Sequence, residues 1–319
     1  QGWRFRPACG GEFTGLRQVR INGRWIFVRD DGSFEVALPT STPSDTVELT
    51  IVDETGEVRA QSVAVQAGAT GGPARPAQPH KIAVLFANTA YSHNGIPDLN
   101  TPANDVARVS EVLHNKLGFV THVINNATKA DMVQAIDALH SEVVEGDQVF
   151  IYYAGHGYEN ERTGVGYWLP TDATTTSAKN WMSTRDLARL LRRVPAKNIM
   201  LVADSCYSGS FTKEQNFDAG SRSANLEELG NLRGVMAMSS GGDEPVMDGE
   251  VNSPFARALV DHLKEVSAAT VGEQLYAKVK ADVTASTPQT PQYGVISSAG
   301  YDPGADYLIR HTSTRVSLR

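Results

Sequence analysis

Two apolar runs constrain this chain more than any other feature. Gln148-Val-Phe-Ile-Tyr-Tyr-Ala154 and Asn198-Ile-Met-Leu-Val-Ala-Asp204 each carry apolar residues at consecutive positions instead of alternating them with polar ones. A strand with that pattern is covered on both faces, as in a parallel sheet with helices above and below it. Both runs stop abruptly in small and polar residues, Gly155-His-Gly157 and Ser205-Cys-Tyr-Ser-Gly209. In open parallel sheets the reactive groups collect just beyond the carboxyl ends of the strands. If the two runs are sheet neighbours, about 5 Å apart, His156 and Cys206 project from the same edge within reach of each other.

The remainder of the second half supports an α/β alternation that begins at residue 81. Strands are expected at Ile82–Ala87 and Val120–Ile124, with helices at Pro102–Leu117 and Lys129–Val144. A further helix at Thr184–Val194 leads into the cysteine strand, and Gly155 to Met182 reads as a long loop. Local signals mark the helix ends. Thr101-Pro102 supplies an N-cap and an N1 proline, Thr128 precedes Asp131, Ser183 with Asp186 caps the helix from Thr184, and Gly118 ends the first helix. After an irregular stretch at Ser210–Leu232, a strand at Gly234–Ser240 and a helix at Pro254–Glu265 capped by Ser253 are expected. Thr270-Val-Gly-Glu273 reads as a capping box opening a helix to about Ala285, and a strand near Tyr307–Arg310 would close one side of the sheet.

The first 66 residues have a different period. Residues 1 to about 15 read as a loosely held arm. Strand-like segments then fall around Gln18–Ile21, Arg24–Val28, Ser33–Leu38, Thr46–Val52 and Val58–Val65, separated by the turn pairs Asn22-Gly23, Asp31-Gly32 and Thr55-Gly56. Residues 1–66 are therefore a small all-β domain, which resembles bacterial immunoglobulin-like modules, with a small barrel as the alternative, and suggests an exported protein, periplasmic or extracellular before cytoplasmic. Residues 67–80, rich in Gly and Pro, form a linker, and 81–319 the α/β domain.

Composition narrows the function classes. A net charge of −7 gives no basic footprint for nucleic acid, and no apolar stretch reaches the roughly 18 residues of a membrane span. With two cysteines, a Cys9–Cys206 bridge would silence the thiol, so Cys9 is expected to be free. The chain lacks a Walker phosphate loop, a G-x-S-x-G elbow and a His-Glu-x-x-His zinc motif. A polypeptide substrate is the expected partner, and the sequence does not fix an oligomeric state.

The pair Tyr152-Tyr-Ala-Gly-His-Gly157 and Asp204-Ser-Cys-Tyr-Ser-Gly209, in that order and fifty residues apart, resembles the caspase-like cysteine peptidases of clan CD, above all bacterial caspase homologues and metacaspases. Ala87-Asn88, Tyr91, Asn104-Asp105 and Met238-Ser-Ser-Gly241 extend the likeness across about Lys81 to Ile309. The resemblance implies a caspase-like, mostly parallel sheet flanked by helices and a catalytic dyad of Cys206 and His156. It assigns the oxyanion donors to the backbone N–H groups of Gly157 and Cys206. Its metacaspase branch implies cleavage after Arg or Lys, with Asp105 and Asp204 as the substrate-binding acids, whereas true caspases cut after Asp. Pro102 departs from that branch, where many members have a cysteine. A third reading is a caspase-like scaffold with little peptidase activity. Metacaspases commonly need calcium, but only Asp172 and Asp186 match part of that acidic cluster, and two carboxylates are few for a site wanting 6–8 oxygens. No cofactor or metal is expected. Lys213 and Arg222, in the irregular stretch after Cys206, are candidate self-cleavage points.

Overall fold

The structure is a computed structural model that describes residues 2–5, 16–21, 24–26, 34–37, 46–53, 58–64, 80–91, 95–205, 215–216, 225–241 and 251–310. The chain divides into two compact units, 1–79 and 80–319.

The first unit is antiparallel β. Its strands are β1 (Gly2–Phe5), β2 (Leu16–Ile21), β3 (Arg24–Ile26), β4 (Phe34–Ala37), β5 (Thr46–Asp53) and β6 (Val58–Ala64). Four of them form a sheet in the order β3-β2-β5-β6, and β1 pairs with β4. Hairpins join β2 to β3 and β5 to β6, where Asn22-Gly23 and Thr55-Gly56 predict them. The N-terminal arm is corrected: Trp3 faces Val36 and Phe5 faces Phe34 across the β1–β4 ladder, so residues 2–5 are a strand. Most of the expected linker, 67–79, lies outside the described residues.

The second unit runs β7 (Lys81–Ala87), α1 (Pro102–Asn115), β8 (Val120–Asn125), α2 (Lys129–Glu142), β9 (Gln148–Ala154), β10 (Gly157–Asn160), β11 (Val165–Trp168), β12 (Met182–Ser183), α3 (Thr184–Arg193) and β13 (Asn198–Asp204). It continues with β14 (Gln215–Asn216), α4 (Leu226–Asn231), β15 (Gly234–Ser239), α5 (Pro254–Glu265), β16 (Thr270–Val271), α6 (Gly272–Ser286), β17 (Gln292–Val295) and β18 (Leu308–Ile309). Seven strands form the main sheet in the order β14-β17-β15-β13-β9-β7-β8. The five strands from β15 to β8 are parallel, and β17 and β14 are antiparallel additions at one end.

Every residue of β9 is buried, as are six of the seven in β13, which is why these strands can be apolar throughout. One face packs Leu85, Phe150, Tyr152, Met200 and Val202 against Val109 and Leu113 of α1, Phe255 and Leu259 of α5 and Val279 of α6. The other face, reached by the alternate residues of each strand, is covered from the side of α2 and α3.

The caps are formed where Thr128 and Ser183 accept from the N–H groups of Asp131 and Asp186, whose carboxylates bond back, and Gly118 takes the left-handed φ of 72° that ends α1. Thr101 and Pro102 hold the N-cap and first positions of α1 as expected, without a side-chain cap bond from Thr101. One cap is corrected. Thr270 belongs to β16, and the N–H of Glu273 at the start of α6 instead donates to Asp306 Oδ2 at 3.3 Å. One strand is corrected as well. β18 pairs with β16 in a separate ribbon and does not close the main sheet, which ends instead in β17 and β14. The expected loop between Gly155 and Met182 contains the three-stranded antiparallel sheet β10-β11-β12, and the irregular stretch 210–232 contains β14 and α4.

Candidate active site at the ends of β9 and β13

β9 and β13 are adjacent and parallel, in a register that sets Ala154 opposite Asp204. The N–H of Gly155 donates to Asp204 O at 3.4 Å and carries the pairing one residue further. His156 is the second residue past Ala154, and Cys206 the second past Asp204. Cys206 itself, like Cys9, Lys213 and Arg222, lies outside the described residues.

His156 is held at three points. Its backbone N–H donates to Tyr91 Oη at 3.2 Å, and its carbonyl accepts from Leu169 N at 2.9 Å and from Tyr153 Oη at 2.7 Å. Its ring Nε2 lies 2.8 Å from the carbonyl oxygen of Pro97. A carbonyl only accepts, so Nε2 carries the hydrogen, and the neutral imidazole presents Nδ1 as its basic nitrogen. The Tyr91 ring stands edge-on to the imidazole with centroids 4.8 Å apart. Tyr91 Oη in turn donates to Leu169 O at 2.9 Å.

The need for glycine at 155 follows from these tyrosines. A Cβ there would lie 2.5 Å from Tyr153 Oη and 2.7 Å from Tyr91 Oη, closer than real contacts allow. Gly157 opens β10 opposite Trp168 of β11. Because Leu169 N bonds His156 O, the 156/169 position is a hydrogen-bonded pair and 157/168 falls on a non-bonded one. The Gly157 N–H is thereby directed away from β11.

On the Tyr152 face of the sheet lies a pair of acids. Asp105, in the first turn of α1, and Asp204, at the end of β13, are both buried. Ser253 joins them: its N–H donates to Asp105 Oδ1 at 3.0 Å and its hydroxyl to Asp204 Oδ2 at 2.5 Å. The same Oγ accepts from Ala256 N as the cap of α5. Asn252 Nδ2 donates to Asp105 Oδ1 at 2.8 Å, and Tyr152 Oη donates to Asp204 Oδ2 at 3.1 Å. Burial first, and the neighbouring Asp105 charge second, push the Asp204 carboxyl up to about 7, while the hydroxyls of Ser253, Ser240 and Tyr152 pull it back in part. Asp204 Oδ1 is buried without a hydrogen-bond partner. A cationic group entering here would relieve both effects.

Sequence reasoning singles out His156, Gly157, Asp105 and Asp204, and the structure places the first two at one strand end and joins the second two through Ser253. It does not single out Pro97, Tyr152 or Asn252, and it reads Ser253 only as a cap. The remaining acids are occupied differently. Asp172 Oδ1 accepts from Lys129 N at the start of α2, and Asp186 closes its capping box and lies 3.8 Å from Lys129 Nζ. Among the described residues no group of three or more His, Cys, Asp or Glu side chains is arranged to hold a metal, and no helix is long and apolar enough to cross a membrane.

Residues 80–300 match the family described as the caspase domain (Peptidase_C14). The chain belongs to the caspase-domain family. Its α/β unit is a caspase-like, clan CD cysteine-peptidase domain. Mucosa-associated lymphoid tissue lymphoma translocation protein 1 of Homo sapiens is 27% identical to it over 133 residues, 41% of this chain and 16% of that protein. The Mus musculus homolog matches at the same identity over the same length, covering 15% of that protein. The chain thus matches well under a fifth of the length of these curated relatives. Caspase-1 from Spodoptera frugiperda superimposes with a TM-score of 0.52 at 14% identity, over 69% of this chain and 87% of that one. A protein of Geobacter sulfurreducens gives a TM-score of 0.51 at 19% identity, over 67% of this chain and 92% of that one. The caspase domain is shared with these structures as a fold.

Proposed function

We propose that the protein is an endopeptidase that cuts polypeptides after Arg or Lys through a Cys206–His156 dyad. The observation that carries this reading is the register of β9 and β13, which brings the two strand ends bearing His156 and Cys206 side by side. In the reaction the Cys206 thiol gives its proton to Nδ1 of His156, and the thiolate sulfur attacks the scissile carbonyl carbon. The backbone N–H groups of Gly157 and Cys206 receive the oxyanion. Collapse of the tetrahedral adduct breaks the C–N bond, and His156 returns its proton to the leaving amine. Water, deprotonated by the same imidazole, then hydrolyses the thioester.

The choice of a basic residue before the cut rests on Asp105 and Asp204. Two buried carboxylates tied to one serine favour a guanidinium or ammonium and repel a third carboxylate, so cleavage after Asp is the disfavoured alternative. Lys213 and Arg222 are self-cleavage points under the same specificity. The N-terminal unit is read as an immunoglobulin-like module, and the reaction is read as independent of calcium.

The test is a matched panel of fluorogenic peptides ending in Arg, Lys or Asp, assayed with the parent and with Cys206→Ala. Cleavage of the Arg and Lys peptides by the parent and a loss of at least about 10³-fold in Cys206→Ala are expected. Cleavage after Asp overturns the specificity. Equal activity in the variant overturns the dyad, and no cleavage of any peptide by the parent leaves a scaffold role.

A further inference from the structure

Beyond Gly157 the chain enters an aromatic surface that the reaction as described does not use. Tyr158, 41% exposed, is one of five large hydrophobic side chains that stand out from the described surface, and it is the residue directly after Gly157. Its ring meets Trp181 edge-on, with centroids 5.0 Å apart, and lies 6.4 Å from Tyr167 opposite it on β11. Tyr167 and Trp181 meet at 5.4 Å, and Trp181 is fixed by donating its indole N–H to Thr174 O at 3.0 Å. The surface is continuous with the apolar cluster of Tyr91, Ile96 and Leu169, against which Tyr167 and Trp181 pack. Tyr91, itself buried, stands edge-on to the His156 ring, so one buried cluster touches the imidazole on one side and underlies Tyr167 and Trp181 on the other.

The two sides of the site differ in chemistry because successive strand residues face opposite ways. Tyr152 reaches Asp204 on one face of β9, and Tyr153 stacks on Trp168 at 4.4 Å on the other, the face that also carries Tyr91. A cut of the kind proposed above requires the imidazole to protonate the leaving amine. The leaving segment therefore passes the His156 side of the strand ends, away from the acids that would receive the basic residue. The rings of Tyr158, Tyr167 and Trp181 belong to that side, through the cluster they share with Tyr91.

We propose that Tyr158, Tyr167 and Trp181 form the subsite for the segment that follows the cut, selecting a large aliphatic or aromatic side chain within its first two residues. This inference rests on the peptidase reading above, and it adds a second specificity determinant on the opposite side of the bond. Aromatic rings suit this use because they offer rigid apolar area at little conformational cost.

The test uses the full chain and two substrate formats. A peptidyl-Arg-aminomethylcoumarin has no amino acid after the cut, so its rate reports the dyad and the basic side alone. Internally quenched peptides carry Arg followed by Leu-Phe, Gly-Gly or Asp-Asp. The parent is expected to prefer Leu-Phe over Gly-Gly by about tenfold in kcat/KM, the scale of one apolar side chain withdrawn from water. Tyr158→Ala should bring that ratio within about twofold of unity, and Tyr158→Phe, which keeps the ring, should retain it. Cleavage of the coumarin substrate with no preference among the quenched peptides, or an unchanged preference in Tyr158→Ala, overturns the subsite and leaves the peptidase reading intact. Failure to cleave the coumarin substrate overturns both.

Discussion

Replacing Asp204 by Asn removes one of the two buried carboxylates while keeping the shape of the side chain, and stability and activity should move in opposite directions. Raising the carboxyl from 3.8 to about 7 means that its charge is held against a strong penalty at pH 8. At roughly 1.4 kcal/mol per pH unit the penalty is about 4 kcal/mol. The folded protein holds this proton more tightly than the unfolded chain does, so the contribution of Asp204 to stability falls as pH rises from about 4 to about 7 and is level on either side. Asn keeps the acceptor used by Ser253 and Tyr152, but sets an amide nitrogen where Oδ1 has no partner. That orphaned donor costs about 1–3 kcal/mol, which leaves a net gain of about 1–3 kcal/mol at pH 8 and none at pH 4.5. The melting temperature of the caspase domain should rise by about 2–10 °C at pH 8. Cleavage after Arg should fall about 30- to 1,000-fold in kcat/KM, the usual loss when one member of a buried charge pair is removed. Melting is measured at both pH values in a Cys206→Ala background, and kinetics in the active enzyme. A variant that is destabilised equally at pH 4.5 and 8, or that still cuts Arg peptides at the parent rate, refutes the reasoning.

The same carboxyl predicts a pH dependence of binding. A cationic substrate favours ionised Asp204, so KM for Arg peptides should fall as pH rises through about 7, and this dependence should vanish in Asp204→Asn. Gly155→Ala forces a methyl group against Tyr153 and Tyr91; a loss of about 1–3 kcal/mol in stability and a fall in kcat from displacement of His156 are expected, read by thermal melting and steady-state kinetics. Because Asp172 and Asp186 are spent on the starts of α2 and α3, addition of calcium or of a chelator should change kcat/KM by less than about twofold, whereas a larger calcium stimulation would place a cation on other acids.

The parallel sheet was legible because buried strands need apolar residues on both faces, and Gln148–Ala154 and Asn198–Asp204 supply them without interruption. The helices of the α/β unit were legible through local chemistry, since Thr128 with Asp131 and Ser183 with Asp186 act across three residues. Long-range contacts were not. Ser253 reads as a cap for α5 and is one, yet it also bonds Asp204 and Asp105, 49 and 148 residues away in the chain, and no local pattern announces that. Thr270 and Glu273 have the spacing of a capping box, but β18 draws Thr270 into a ribbon and Asp306 takes over the helix start. β10 and β11 escaped because each has only four residues with glycine in it, and their aromatic pair Tyr158 and Tyr167 was the one signal of a half-exposed sheet. The histidine itself was legible from its position, whereas its positioning by Tyr91 and Pro97, from a loop 59 to 65 residues earlier, was not.

Cys206 is the nucleophile paired with His156 in the proposed reaction. Treatment with a peptidyl-Arg acyloxymethyl ketone, followed by peptide mass spectrometry, tests this most directly, because the reagent alkylates the attacking sulfur. The account predicts one adduct on Cys206, none on Cys9, and labelling reduced by at least about 10²-fold in His156→Ala. Labelling of Cys9 in place of Cys206, or equal labelling of Cys206 without His156, would contradict it.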